Sequence, residues 1–270
     1  MAITAADVKK LRDATGAGMM DAKRALTEAD GDFQQATELL RISGLAKQAK
    51  RADREASNGI VAGREGILIQ LAAETDFVAK NAEFVGLADR IVEAVATSGA
   101  TDVASGNAAT LEGDQSVDDA VKELGAKLGE NLSLAAVANF DGTSHLYLHR
   151  RAADLPPQVG VLIQYNGGDE KLAHQVSMQI AAMSPTFVSR DEVPADVVEN
   201  ERRIAEATAR EEGKPEAALS RIVEGRLGGF YKDVALLDQP AVWEDKKSVG
   251  DILKGADAKV TRFVRFAIGA

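Results

Sequence analysis

The sequence predicts an α+β protein, and three observations carry that reading. Apolar residues recur at helical spacing through the first 40 residues, with no strand pattern among them. Beyond residue 57, short β-branched runs alternate with helical stripes. From 191 to 232 the chain is highly charged and helical, broken once at Gly213-Lys214-Pro215. The 270 residues suffice for about two domains. Hydrophobic residues at 45% supply ample core, and only 4% aromatics favour helix packing on small and aliphatic side chains. The expected organisation is a three-helix domain with linker over 1–55, one core subdomain over 56–140 and a second over 141–270, which includes a helical hairpin at 191–232.

Each element has a local reason. Thr4 followed by Asp7 has capping-box spacing ahead of Val8 and Leu11. Gly16 and Gly18 end that helix, a second runs from about Met19 to Glu28, and Asp30-Gly31-Asp32 turns into a third that carries Phe33, Ala36, Leu39 and Leu40 inward. Ser43-Gly44 is expected to interrupt it, and the basic stretch 47–54 reads as a tether. Strands are expected at 59–61 and 66–71, then a long helix with Phe84, Leu87, Ala88, Ile91, Ala94 and Val95 on one face. Residues 100–115, small and polar, read as a mobile loop. Ser116 with Asp119 opens the next helix, followed by strands at about 132–139 and 144–149.

Residues 160–165 (GVLIQY) repeat the pattern of 66–71 (GILIQL), each followed by an acidic turn and a striped helix, so the core reads as two similar α+β halves. The second helix carries Leu172, Val176, Ile180 and Met183. In the hairpin, Val197, Ile204 and Thr208 should face Leu219, Ile222, Val223 and Leu227, each arm ~30 Å long at ~1.5 Å per residue. An alternating strand at 260–266 completes the pattern.

Several chemistries are excluded. The sequence has no cysteine, which removes disulfides, thiolate metal sites and cysteine nucleophiles. Net charge is −10, with residues 1–55 near neutral and the whole negative balance beyond them, so no nucleic-acid footprint exists. No apolar run could cross a bilayer and no secretory signal opens the chain, which points to the cytoplasm. The Thr15-Gly16-Ala17-Gly18 turn follows a helix and cannot be a phosphate cradle at a strand end. His145 and His149 share a strand face ~13 Å apart, too far to chelate a metal. His174 has no second histidine or carboxylate placed for ligation by the sequence. No cofactor, metal or catalytic group is expected.

The segment Glu74-Thr75-Asp76-Phe77-Val78-Ala79-Lys80-Asn81 joins a strand to a helix and carries the most information. Thr75 or Asp76 can cap the helix, and Phe77 can serve as a staple against it. The alternative is an acidic–aromatic tip presented to a partner's pocket. Met19 and Met20, just after a glycine turn, likewise suit either core or a docking surface.

Two long stretches resemble a known family. LRDATGAGMMDAKRAL (residues 11–26) and AAETDFVAKNAEF (72–84), with KLGEN (127–131), resemble signatures of bacterial elongation factor Ts, the nucleotide exchange factor for elongation factor Tu. The layout is similar across essentially the whole chain, and its N-terminal module resembles ubiquitin-associated domains. The resemblance implies a non-enzymatic exchange factor that binds elongation factor Tu, both GDP-bound and nucleotide-free, and stays bound until GTP arrives. Arg12, Met19 and Met20 would dock on the partner's nucleotide-binding domain. Asp76 and Phe77, within Thr75, Asp76, Phe77 and Val78, would dislodge its Mg²⁺, with Leu128 in support and His149 pressing on its phosphate side. A homodimer or a heterotetramer with the partner is admitted. Ala22 and Ala73 stand where relatives often carry cysteine, Gln70 replaces a frequent glutamate, and the loop 151–157 is longer beside His149. The helix that some relatives carry after residue 270 is not expected to contribute. Rival readings are an adaptor using only the three-helix module, which has no use for residues 72–84, and an enzyme built on Glu74, Asp76 and His149.

Overall fold

The computed structural model describes residues 3–49, 54–150, 152 and 155–269. The centre of the expected tether, 50–53, and most of the arginine-containing loop at 151–154 lie outside the described residues. By spatial contact the chain divides into two units, Met1–Asn139 with Leu148–Val159 and Phe266–Ala270, and Phe140–Tyr147 with Gly160–Arg265. Helices dominate, and the strands pair antiparallel, as an α+β sequence requires.

The first unit begins with α1 (Ala5–Thr15), α2 (Met19–Glu28) and α3 (Phe33–Ala49). The Thr4 hydroxyl accepts from the Asp7 N–H at 3.2 Å, and the Asp7 carboxylate accepts from the Thr4 N–H at 3.0 Å. This reciprocal cap also lowers the Asp7 pKa, mainly through the Thr4 hydrogen bonds. Gly16 closes α1 in the left-handed region (φ 70°), which a residue with a Cβ rarely adopts. Val8, Leu11, Ala22, Ala25, Leu26 and Ala36 form the small core, flanked by Phe33, Leu39 and Leu40. Helix α3 runs through Ser43-Gly44 without the expected interruption. One glycine costs a helix only about 1 kcal/mol, less than packing along the helix can offset.

The same unit contains an antiparallel sheet in the order β1 (Asn58–Arg64), β2 (Ile67–Ala73) and β3 (Leu132–Asn139). Ile60 stands opposite Leu71, and Leu71 opposite Leu134. Ile67, Ile69, Leu71 and Ala73 alternate onto one face, as period-2 patterning demands. On that face lie α4 (Asp76–Ala79), α5 (Ala82–Ser98), α6 (Val103–Ala108) and α7 (Val117–Leu128), which contribute Val78, Phe84, Leu87, Ile91, Val95, Val121 and Leu124. Phe84 and Ile91 are fully buried. Helix α3 packs against α7. A Cβ at Gly44 would lie 3.1 Å from the Ala126 Cβ, so glycine there permits the close approach.

Residues 100–115 are not the mobile loop the composition suggests. Asp102 and Ser105 form a capping box, with the Ser105 N–H donating to Asp102 at 2.8 Å, and open α6. Gly106 is packed so closely that a Cβ would stand 2.9 Å from Val137 Cγ2 and 3.0 Å from Leu134 Cδ2. Small residues here are a condition of packing on β3, and the sequence pattern mistook them for flexibility.

The second unit holds most of a sheet ordered β4 (Ser144–His149), β5 (Val159–Asn166) and β6 (Lys259–Ala267). It also contains α8 (Glu170–Met183), α9 (Ala195–Glu211), α10 (Glu216–Val234) and α11 (Val249–Gly255). Asp169 caps α8 by accepting from the Leu172 N–H at 2.8 Å. Val161, Ile163, Leu172, Val176, Ile180, Leu236, Val249, Leu253 and Val260 make the core. Met183, expected on that buried face, is exposed at the end of α8.

Helices α9 and α10 form the expected antiparallel pair, but the seam on α9 lies one position over. Ala205 and Ala209 are buried, with Val198 beside them, against Val223 and Leu227 of α10. Val197, Ile204 and Thr208 face outward. Alanine at the contact lets two backbones approach closely, an advantage that a search for bulky apolar residues overlooks. Charged pairs flank the seam: Arg202 Nη1 lies 2.6 Å from Glu224 and Arg226 Nη2 2.8 Å from Glu212.

The packing of α6 predicts that Gly106→Val lowers stability by about 1–3 kcal/mol, the usual cost of forcing methyl groups into a filled core. Thermal or urea unfolding measures this; a truly mobile loop would show no change.

Candidate functional site

The segment 74–78 leaves β2 and forms α4, a helix of four residues. Val78 and Ala79 point into the core, at 7% and 1% exposure. Phe77 is 83% exposed and Asp76 is exposed beside it. Phe77 is therefore no staple on the following helix, whose N-terminus is capped by Asn81 accepting from Glu83 N–H at 2.8 Å. A phenylalanine held in water forgoes the ~1.5–3 kcal/mol that burial would contribute.

The tip stands on a polar base that no local pattern in the sequence announces. Thr75 precedes α4 in extended conformation, but its side chain does not cap the helix. Its hydroxyl donates to Glu130 Oε1 at 2.5 Å and its N–H donates to Glu130 Oε2 at 3.1 Å. In return, Glu74 Oε1 accepts from the Asn131 N–H at 2.6 Å. Asn58 Nδ2 donates to the Glu74 carbonyl at 2.9 Å, and Asn131 Nδ2 donates to the Arg54 carbonyl at 2.8 Å. Arg54 Nη1 lies 3.3 Å from Glu74 Oε2. Both Glu74 oxygens are thus engaged in contacts that tie the segments together, one with the Asn131 N–H and the other with Arg54.

Leu128 ends α7 and packs, partly buried, on the main core cluster, two residues before Glu130. One residue earlier, Lys127 Nζ donates to Glu83 at 2.7 Å and ties the end of α7 to the start of α5. Arg12, Met19 and Met20 flank the α1–α2 turn. Met19 is 48% and Met20 75% exposed, while α2 buries Ala22, Ala25 and Leu26 instead. Arg12 is half-buried and pairs with Asp13 at 2.5 Å. Gly18 begins α2 without a side-chain cap, and the glycine turn joins helix to helix, so no phosphate cradle forms.

His149 is exposed at the end of β4, and its carbonyl accepts from the Gln158 N–H at 3.0 Å. His174 does have a histidine neighbour, contrary to the expectation from sequence. β4 and α8 bring His145 Nε2 to 3.2 Å from His174 Nδ1, with Tyr147 edge-on to His174 at 5.3 Å between ring centroids. Partial burial lowers the His145 pKa, the His174 charge lowers it further, and Glu170 opposes both. Among the described residues, no group of three or more His, Asp or Glu could hold a metal ion. Nor, among them, is any helix long and apolar enough to cross a membrane.

The family model described as Elongation factor TS matches residues 74–270, beginning at the first residue of the tip's base. Elongation factor Ts of Cutibacterium acnes is 60% identical over 269 residues and covers 100% of both chains. Elongation factor Ts of Mycolicibacterium vanbaalenii is 59% identical, and that of Mycobacterium avium 58%, each with 98% of both chains covered. The chain belongs to the elongation factor Ts family. The exposed Asp76–Phe77 tip and its Glu130 base both fall inside the matched elongation factor Ts region, while the exposed methionines lie in the part matched by the full-length relatives.

The histidine pair generates a pH prediction. A folded-state pKa below the ordinary 6.5 means that the unfolded chain takes up a proton at His145 before the folded chain does. Stability is therefore complete above that value and declines as pH falls below it. Thermal unfolding from about pH 7 to about pH 5 should show the decline, and His145→Gln should flatten part of it.

Proposed function

We propose that the chain is a guanine nucleotide exchange factor for elongation factor Tu, acting by protein binding and not as an enzyme. The observation that carries this reading is Phe77, 83% exposed on a four-residue helix whose base is hydrogen-bonded into the core. Residues 1–55 form the docking domain, and Arg12, Met19 and Met20 engage the partner's nucleotide-binding domain. Thioether side chains in water adapt readily to a facing apolar surface. Asp76 and Phe77 then enter near the partner's switch region, with Thr75 and Val78 holding the tip and Leu128 supporting its base. His149 bears on the phosphate-binding side.

The thermodynamics require no catalytic group. A factor that binds empty partner better than GDP-loaded partner must, by linkage, weaken GDP binding by the same factor. Each ~1.4 kcal/mol of that coupling is tenfold in affinity. Moving the switch and phosphate-loop atoms and expelling Mg²⁺ removes the charge neutralisation that holds the diphosphate. GDP leaves, and the factor stays bound until GTP replaces it.

The test is release of labelled GDP from purified elongation factor Tu. Wild-type protein should accelerate release, and no acceleration would overturn the exchange reading. Phe77→Ala should reduce the acceleration by about 10- to 100-fold, the equivalent of losing ~1.5–3 kcal/mol of burial. Its melting temperature should not fall, because the ring touches little in the free protein. Asp76→Ala should also slow release; full activity in both variants would remove the tip from the mechanism. Met20→Ala should raise the concentration of factor needed while leaving the maximal rate near wild type.

A further inference from the structure

We infer that Glu130 is the positioning residue of the exchange tip, holding Phe77 in its working place through Thr75; the inference rests on the exchange reading above. A helix of four residues has no stability of its own, since nucleation fixes several dihedrals for its first hydrogen bond. Something outside α4 must therefore set where Phe77 stands. Val78 and Ala79 anchor the far side in the core. On the near side the last polar contacts before the tip are those of Thr75, and both go to one carboxylate.

The geometry suits that role. Glu130 lies in the turn between α7 and β3, so its backbone is set by two elements of the core. Each of its oxygens takes one hydrogen from Thr75, one from the backbone and one from the hydroxyl. A two-point contact fixes both the position and the rotation of the Thr75 peptide, whereas a single contact leaves a pivot. The Glu74–Asn131 bond runs the opposite way one residue off, so the two chain segments exchange side-chain acceptors reciprocally. Asn131 is buried, and its side chain is held by the Arg54 carbonyl. With this lock closed, Asp76 and Phe77 are the first residues free to meet a partner.

Rotating the Thr75 peptide would swing the Phe77 ring away from the position that docking has to find pre-formed. Pre-organisation of this kind acts on the bound, rate-determining state more than on initial docking, which Met19 and Met20 perform elsewhere. Glu130 therefore governs the maximal rate of GDP release and has little influence on the concentration at which the factor acts.

The experiment is a double-mutant cycle read in GDP release from elongation factor Tu, using the full chain. Glu130→Ala should lower the maximal rate by about tenfold or more, because the Thr75 peptide loses both contacts that fix its rotation. The half-saturating concentration should change by less than about threefold, a shift of under one kcal/mol. Glu130→Gln should restore most of the rate, since its carbonyl can accept from the Thr75 N–H and its amide can donate to the hydroxyl. In the Phe77→Ala background, Glu130→Ala should add almost nothing, because a residue that acts through Phe77 cannot act without it. If Glu130→Ala folds poorly, Thr75→Val and Thr75→Ser make the same comparison, with loss expected in the first and retention in the second. Additive effects of Glu130→Ala and Phe77→Ala, or a full maximal rate in Glu130→Ala or Thr75→Val, would overturn the positioning role. Failure of wild-type protein to accelerate release would overturn both this inference and the exchange reading. Loss in Phe77→Ala alone would leave the exchange reading standing and reject Glu130.

Discussion

An exposed phenylalanine on a helix too short to stand alone sets the constraint on which the rest of the first unit depends. The chain cannot stabilise that helix from within, so its base is clamped by groups from a remote turn. Two carboxylates, Glu74 and Glu130, each accept from the other segment's backbone. Charge-assisted bonds of this type are shorter and stronger than neutral ones, and partial burial strengthens them further. The sheet β1-β2-β3 supplies the fixed frame: β2 delivers Glu74 and β3 begins directly after Asn131. The core under α4 and α5 thus fixes the segment from which Asp76 and Phe77 project.

Buried and presented apolar residues lie side by side at both candidate contact points. In α2 the small residues Ala22 and Ala25 face inward with Leu26, which leaves Met19 and Met20 outward. In α4 the inward positions are Val78 and Ala79, and the outward one is Phe77. Helix α4 thus buries its smaller apolar residues and leaves its largest in water, while α2 buries Leu26 yet leaves both methionines exposed beside the glycine turn. Burial alone would favour the reverse. Large apolar side chains left in water at these two places are the feature on which the docking proposal draws.

Local signals were legible wherever the cause lay within a few residues. Thr4 with Asp7, Ser116 with Asp119, and the glycines at 16 and 31 marked helix ends because caps and left-handed turns are settled by neighbours in sequence. The first unit's β1, β2 and α5 followed from periodicity. Asp102 with Ser105 carried the same type of signal for α6, but a run of small residues obscured it. The α9 seam lies one position from where Val197 and Ile204 place it, because close helix approach favours the small residues Ala205 and Ala209.

What the sequence determined by itself was the class of fold, the order of its elements, the absence of thiol chemistry and, through two long signatures, the family. Those follow from short-range patterning and composition, which each stretch of chain carries independently. Only the tertiary structure decided that Phe77 is presented and not stapled, that Glu74 ties two chain segments together, that Glu130 grips Thr75, and that His145 meets His174. Those pairs lie 55 and 29 residues apart in the chain, and no periodicity links them. A side chain's role at such a point depends on which distant backbone group arrives opposite it, and that is settled only when the sheet and helices close together.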